Sequence, residues 1–406
     1  MKQLRNMKTI KMPKFNFDRL INREGTNCMK YDGIGALQSD YEQVIPLWIA
    51  DMDFATPPFI AEAIKKRLEH PILGYGTIPG YYYESICHWF QLKYGFKPMS
   101  NEIKYIPGIV SGIYKLLECL TDKGDQVLIT PPVYHPFAQV IKNSGRNVLE
   151  APLKLNGGRY ELDWDKLEWG MKGAKVFLLC HPHNPGGRVW RREELERIAD
   201  LAIKSNTLVL SDEIHADLTY DKLVHIPFPS VSENASRVGI SLMAPSKAFN
   251  MPGVIGSHLY IKDVELRDKV YSYIDNNGLG LGDCFTYDAI AAAYDEGAEW
   301  LKECTRYIED NVAYVQDFLG RHIPRIKMIV PEASFLIFLD CRGLGFSSTE
   351  ELNQFFIKRA GLFLNEGAMF GSGGEYFMRL NIGCPRQILT EAMERLKNAV
   401  DNLNLE

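Results

Sequence analysis

Ser241-Leu-Met-Ala-Pro-Ser-Lys-Ala-Phe-Asn-Met-Pro-Gly253 sets a lysine directly behind the apolar run Arg237-Val-Gly-Ile-Ser-Leu242. That run reads as a buried strand ending in a polar turn. Small residues and prolines crowd Lys247, Ser246 beside it can bond an anion, and Gly253 and Gly256 relax the backbone beyond. Crowding at a strand end depresses an amine's pKa and turns it into a Schiff-base nucleophile. Taken alone, a loop lysine is more often a solvated surface group, so the reading depends on what stands at neighbouring strand ends.

Two further segments have the same form. In Asn206-Thr-Leu-Val-Leu-Ser-Asp-Glu-Ile-His-Ala-Asp217 a β-branched and leucine-rich run stops at Ser211-Asp212-Glu213, which puts Asp212 at the C-terminal end of a strand, where open α/β sheets bind ligands. In His181-Pro-His-Asn-Pro-Gly-Gly-Arg188 a polar turn follows the run Ala174-Lys-Val-Phe-Leu-Leu-Cys180. An amine, a carboxylate and an Asn-Pro turn at successive strand ends suit pyridoxal 5'-phosphate. Lys247 would bond the aldehyde, Asp212 would pair with the pyridinium nitrogen, and Asn184 would donate to the ring's phenolic oxygen.

The chain resembles the fold-type I pyridoxal-phosphate enzymes of the aminotransferase class I/II superfamily, in particular the MalY/PatB branch of cystathionine β-lyases and C-S lyases. The resemblance runs through Phe17-Asp18, Lys30-Tyr-Asp32, Trp48-Ile-Ala-Asp-Met-Asp-Phe54, Ser211-Asp-Glu-Ile-His215, Pro245-Ser-Lys-Ala-Phe-Asn250 and Arg379-Leu-Asn-Ile-Gly-Cys-Pro-Arg386. The lysine and aspartate are shared across the superfamily; the Trp-Ile-Ala-Asp-Met-Asp-Phe and Asp-Glu-Ile-His segments point to the branch.

The resemblance implies an α/β fold: a mostly parallel central sheet with helices on both faces, plus a smaller α+β domain. Residues 1–55 would form an N-terminal arm and part of the small domain, 56–290 the large cofactor-binding domain and 291–406 the small C-terminal domain. The pattern agrees from about Glu102 onward, where short apolar runs alternate with amphipathic stretches: Ile103–Ile106, Val110–Leu120, Val127–Thr130, Phe137–Asn143. Later stretches predict helices over Phe285–Arg321, including a long connector at Trp300–Leu319, then strands at Phe335–Leu339 and Met378–Ile382 around a helix at Thr349–Ala360. Val44–Ala50 reads as strand-like, leading into a site wall.

By the same resemblance Ile109 and Val110 bind phosphate through their backbone, Tyr134 stacks on the pyridine ring, and His215 reaches the phenolic oxygen. Arg379 pairs with the substrate carboxylate, while Ala50 and Asp51 line the substrate side. Tyr75, between two glycines in His70–Gly80, reaches the phosphate of a partner subunit, which implies a homodimer with composite sites. Ala244 and Ile255 stand where many relatives carry a hydroxyl and an arginine, so Ser246 and Tyr75 bear more of the phosphate binding. His181 departs from the asparagine often found there. His181 and His183 form a His-x-His pair, but no third ligand has suitable spacing, and no metal is expected.

Composition sets outer bounds. With 46 basic against 51 acidic side chains and a net charge of -5, the chain lacks a nucleic-acid footprint. Eight singly scattered cysteines read as reduced thiols. Met1–Met12 is basic without the apolar core of a signal peptide, and no run approaches the roughly 20 residues needed to span a bilayer. A cytoplasmic enzyme acting on a small amino acid is expected. The leading activity is a β-lyase cleaving cystathionine or related cysteine S-conjugates, with Lys247 taking the Cα proton and Lys247 or Tyr75 protonating sulfur. An aminotransferase and a cofactor-binding regulatory protein are the alternatives.

Overall fold

The computed structural model describes residues 14–35, 37–220 and 223–403; the basic stretch Met1–Met12 lies outside them. Seven strands form the larger sheet: β1 (Ile103–Ile106), β2 (Gln126–Ile129), β3 (Asn147–Glu150), β4 (Val176–Cys180), β5 (Leu208–Asp212), β6 (Gly239–Met243) and β7 (Ser257–Tyr260). Their spatial order is β1-β7-β6-β5-β4-β2-β3, and only β7 runs antiparallel to its neighbours.

Helices cover both faces, which explains why a central strand such as β4, Val-Phe-Leu-Leu-Cys, is an apolar run buried at every residue. Along β4, Val176, Leu178 and Cys180 pack with α3 (Ile109–Leu120) and α4 (Pro136–Asn143), beneath Ile113, Leu117 and Phe137. Phe177 and Leu179 face the other way, against Leu167 and Met171 of the helix Trp164–Gly173 and Leu195 and Ile198 of the helix Arg192–Ser205. At about 1.5–3 kcal/mol for each such side chain removed from water, both layers are needed to hold the sheet. Because β2, β4, β5 and β6 are parallel, their C-terminal ends open on one edge.

A second, antiparallel sheet has the order β8-β9-β11-β10, from β8 (Lys327–Ile329), β9 (Leu336–Asp340), β10 (Asn365–Glu366) and β11 (Phe377–Asn381). The helices Ala298–His322 and Arg386–Leu403 pack with it through Ile308, Val315, Leu389 and Leu396. The fold is therefore the expected α/β arrangement, a large mostly parallel sheet between helices beside a smaller sheet.

Two local expectations are corrected. Arg237 and Val238 close a short helix, Glu233–Val238, because the Ser232 side chain caps it by accepting from the Ala235 N–H; the strand begins at Gly239. Within Val44–Ala50 only Ile45 and Pro46 pair as strand, parallel to Leu362 and Phe363. Leu47 still bonds backbone to backbone with Phe363 O and the Asn381 N–H, both at 2.9 Å, and beyond it asparagine side chains take over. Asn381 donates through Nδ2 to the carbonyls of Ile49 and Asp51, both at 2.7 Å. Asn250, at φ 48°, donates to Met52 O (2.9 Å) and Phe54 O (2.7 Å) and accepts from Met52 N–H (2.9 Å). An asparagine tolerates that left-handed backbone better than most residues.

The arm fastens the same segment with charge. Arg23 makes a bidentate pair with Asp51 (3.1 and 2.6 Å) and reaches Asp53 at 2.7 Å, while the fully buried Lys30 holds the other Asp53 oxygen at 2.7 Å. Residues 48–54 thus hang between the two sheets mainly on side-chain bonds, with one backbone bond from the Asp53 N–H to Gly383 O at 2.7 Å. Asn381→Ala removes two hydrogen bonds from these carbonyls and should lower unfolding free energy by about 2 kcal/mol in a urea titration. A change within error would mean water replaces the amide without loss.

Candidate active site

Lys247 stands in the turn after β6 and its Nζ donates to the Ala50 carbonyl at 2.6 Å. Burial, then the charge of Arg379, pushes the amine down to about 8 against the pull of Asp51 and Asp212. At the end of β5, burial pushes the Asp212 carboxyl up to about 7, although the Ile214 N–H (3.1 Å) and Lys247 favour its ionised form. A cation arriving at Asp212 favours its ionised form, and the Lys247 amine gives up its proton far more readily than an ordinary lysine.

Arg379 lies on β11, which carries it from the smaller sheet to this edge. Its Nη1 donates to Asn184 Oδ1 (3.1 Å), and its Nη2 donates to Asn365 Oδ1 (2.5 Å) and Trp48 O (2.9 Å). Asn365 is its cross-strand partner on β10, and the guanidinium sits 5.0 Å from the centroid of the Phe370 ring. Every acceptor is neutral, Nε has no partner, and burial pushes the pKa down to about 10. Among the described residues no carboxylate pairs with this buried cation. Such a guanidinium is stabilised by a carboxylate brought by a ligand.

The remaining predicted residues mostly converge here. Tyr134 is half-buried after β2, and its phenol is pushed up to about 12 by burial and Asp212 against the charge of Arg379. The buried His215 imidazole is pushed down to about 3 by burial, Lys247 and Arg379, and its Nδ1 has no partner. Ser246 is half-buried beside Lys247. Ile109 and Val110 open α3 with no side-chain cap, behind Gly108 at φ 92°. A Cβ on Gly108 would meet Ser111 Oγ at 3.3 Å, so the turn keeps open backbone in front of the helix N-terminus. Asp51 turns its carboxylate to Arg23, and Ala50 contributes its carbonyl. Tyr75 does not join the group: its side chain is fully exposed and has no hydrogen-bond partner among the described residues.

Asn250, Asn365 and Asn381 escaped sequence reasoning. For Asn381 a signal existed, since strand alternation puts Arg379 and Asn381 on one face of β11. His183 is structural: its Nε2 donates to Pro132 O (2.9 Å) and its Nδ1 accepts from Gly186 N–H (3.3 Å). His181 stacks on His225, with ring centroids 4.3 Å apart.

A lysine at about 8 is mostly unprotonated just above that pH, whereas an ordinary lysine waits until about 10.5. Acylation of Lys247 in cofactor-free protein, followed by peptide mass spectrometry, should therefore reach half its plateau near pH 8. Arg379→Met should move that midpoint upward, because the arginine is the charge that lowers it. A midpoint near 10.5 in the unmodified chain would contradict the site's electrostatics.

The aminotransferase class I and II family model matches residues 42–396. Cystathionine beta-lyase PatB of Bacillus subtilis is 39% identical over 387 residues, covering 95% of this chain and 100% of its own. Protein MalY of Escherichia coli is 32% identical, covering 95% and 99%. The crystal structure of cystalysin from Treponema denticola, which contains pyridoxal 5'-phosphate, superposes with a TM-score of 0.91 at 33% identity, covering 96% of this chain and 99% of that one. The chain belongs to the aminotransferase class I and II family and, within it, to the group of MalY- and PatB-type cystathionine β-lyases.

Proposed function

We propose that the protein is a pyridoxal-phosphate-dependent carbon-sulfur β-lyase that cleaves cystathionine or related cysteine S-conjugates to a thiol, pyruvate and ammonia. The observation that carries this reading is the buried Arg379 guanidinium, bonded only to neutral oxygens, in the same cleft as a lysine amine lowered to about 8. One group receives an amino acid's carboxylate; the other works at its Cα.

The residues fit the cofactor. A carboxyl poised at about 7 suits a protonated ring nitrogen, an uncapped helix start behind Gly108 suits a phosphate, and a near-neutral amine suits an aldehyde. We assign Lys247 to the aldehyde, Asp212 to the ring nitrogen and Tyr134 to the ring face. Asn184 and His215 are assigned to the phenolic oxygen, and Ile109, Val110 and Ser246 to the phosphate. Pyridoxal phosphate supplies the electron sink that makes the substrate's Cα proton acidic.

The chain's own groups do the rest. Arg379 fixes the substrate carboxylate through its planar fork, which orients the Cα hydrogen. Lys247 Nζ, drawn from the Ala50 carbonyl, removes that proton, and Lys247 or Tyr75 then protonates the departing thiolate. The segment Trp48–Phe54 walls the cleft and limits water entry. Amino-group transfer is the second reading, favoured by the class I and II model match; the same groups would take the Cα proton without loss of a β-substituent.

The exposed Tyr75, beside exposed Ile72 and Leu73, supports a homodimer in which this loop completes the phosphate site of the partner subunit. Eight free cysteines agree with the cytoplasm as its compartment, and among the described residues no helix is long and apolar enough to cross a membrane.

Cofactor-loaded protein mixed with L-cystathionine, with no keto acid added, should release pyruvate and free thiol in equal amounts. Neither pyruvate nor thiol, with the substrate's amino group instead appearing on an added keto acid, would overturn the lyase assignment in favour of amino-group transfer. Arg379→Ala should raise KM by roughly 30-fold or more, as expected for loss of a desolvated charge pair worth about 2–5 kcal/mol. An unchanged KM would place the carboxylate elsewhere.

A further inference from the structure

Behind Asp212, on the opposite side of the sheet, stands a second buried carboxylate that the reaction above does not use. Glu213 follows β5 directly, and its backbone N–H continues the pairing with β6 through Leu242 O at 2.9 Å. Alternation along extended backbone therefore sends its side chain away from the cofactor cleft, to the face shared by Ser211 and its cross-strand partner Ser241. Glu213 Oε1 accepts from the Phe228 N–H (2.9 Å) and from Ser241 Oγ (2.6 Å), and Oε2 meets His225 Nε2 at 2.7 Å. The backbone N–H and, in this arrangement, the other two groups donate, a pattern that favours a carboxylate over a carboxylic acid.

The neighbours leave this charge uncancelled. His225 is pushed down to about 3 by burial, and His181, stacked on it, is held well below its ordinary value by burial and by His225. His181 feels the pull of Glu213 and of the Ile226 backbone towards a second proton, yet burial outweighs both, and Nδ1 of His225 lacks a partner. The phenols of Tyr94 on α2 (Gly80–Tyr94) and Tyr260 on β7 are the next ionisable groups within its field. The nearest group that answers to the charge of Glu213 on the cleft side is Asp212, whose proton affinity it raises.

We propose that Glu213 is a positioning residue for the cofactor: its anion, fixed behind Asp212, adds a second negative charge on the ring-nitrogen side of the cleft and holds a proton on that nitrogen. Asp212 makes the direct contact, and Glu213 acts through it. Burial pushes Glu213 itself up to about 7 against the pull of its hydrogen-bond donors, so a nearby ring cation is what draws it to the ionised side. The inference rests on the cofactor and on the place of Asp212, and is independent of which substrate is cleaved.

The test reads the ring nitrogen directly. Holoenzyme is reconstituted with pyridoxal phosphate carrying 15N in the ring, and the nitrogen's chemical shift is followed between about pH 6 and pH 10. In the unmodified protein the nitrogen should stay protonated over most of this range. Glu213→Gln, which keeps shape and hydrogen bonding, should lower the deprotonation midpoint by about one pH unit, a tenfold change in acidity; Glu213→Asp should move it less. A merely structural role would lower thermal stability and cofactor affinity but leave the midpoint in place. Coincident curves for the unmodified protein and Glu213→Gln would overturn the proposal. If Glu213→Gln does not fold, Ser241→Ala, which removes one donor to the carboxylate, should give a smaller shift in the same direction, and no shift there would overturn it equally. Because the signal needs no turnover, a protein without lyase activity would still answer the question.

Discussion

The hydrogen bond from Lys247 Nζ to the Ala50 carbonyl joins residues 197 positions apart and ties the end of the large sheet to the segment crossing from the small one. For it to form, an ammonium-forming side chain must be buried and a stretch of irregular backbone must be held still. Burial lowers the amine to about 8, the state in which it can act. Stillness comes from Asn250 on one side and Asn381 on the other, with Arg23 and Lys30 closing on Asp51 and Asp53. A flexible wall would let water reach the amine and return it towards an ordinary lysine.

The same economy of charge governs the rest of the cleft. Arg379 is surrounded by neutral oxygens and a phenyl ring, while burial raises the proton affinity of Asp212 and lowers that of His215. A buried charge without a counter-charge is costly, and here the missing partners are the ones that a cofactor and an amino-acid substrate bring. Affinity and orientation then arise from one event, because binding relieves the desolvation that the fold imposed.

How much of this was legible before folding follows from the range of each signal. Lys247, Asp212 and Asn184 end strands that are buried on both faces, and a run such as Val176–Cys180 announces itself through adjacent residues alone. The start of β6 was misplaced because Ser232 caps a short helix that absorbs Arg237 and Val238. Val44–Ala50 reads as strand because its composition is apolar, while beyond Leu47 the partners include asparagine side chains up to 332 residues away. Periodicity cannot sense a bond of that span. Tyr75 stands apart from the cleft because its loop is fully exposed in the single chain, and no periodicity in one sequence reports what an exposed loop residue touches.

The most direct test of the account is to reduce the cofactor-loaded protein with borohydride, digest it and locate the phosphopyridoxyl group by mass spectrometry. The account predicts the added mass on the peptide carrying Lys247, and none on that peptide in Lys247→Ala. A phosphopyridoxyl group on another lysine, or its persistence after Lys247→Ala, would contradict the assignment from which the chemistry of the cleft has been derived.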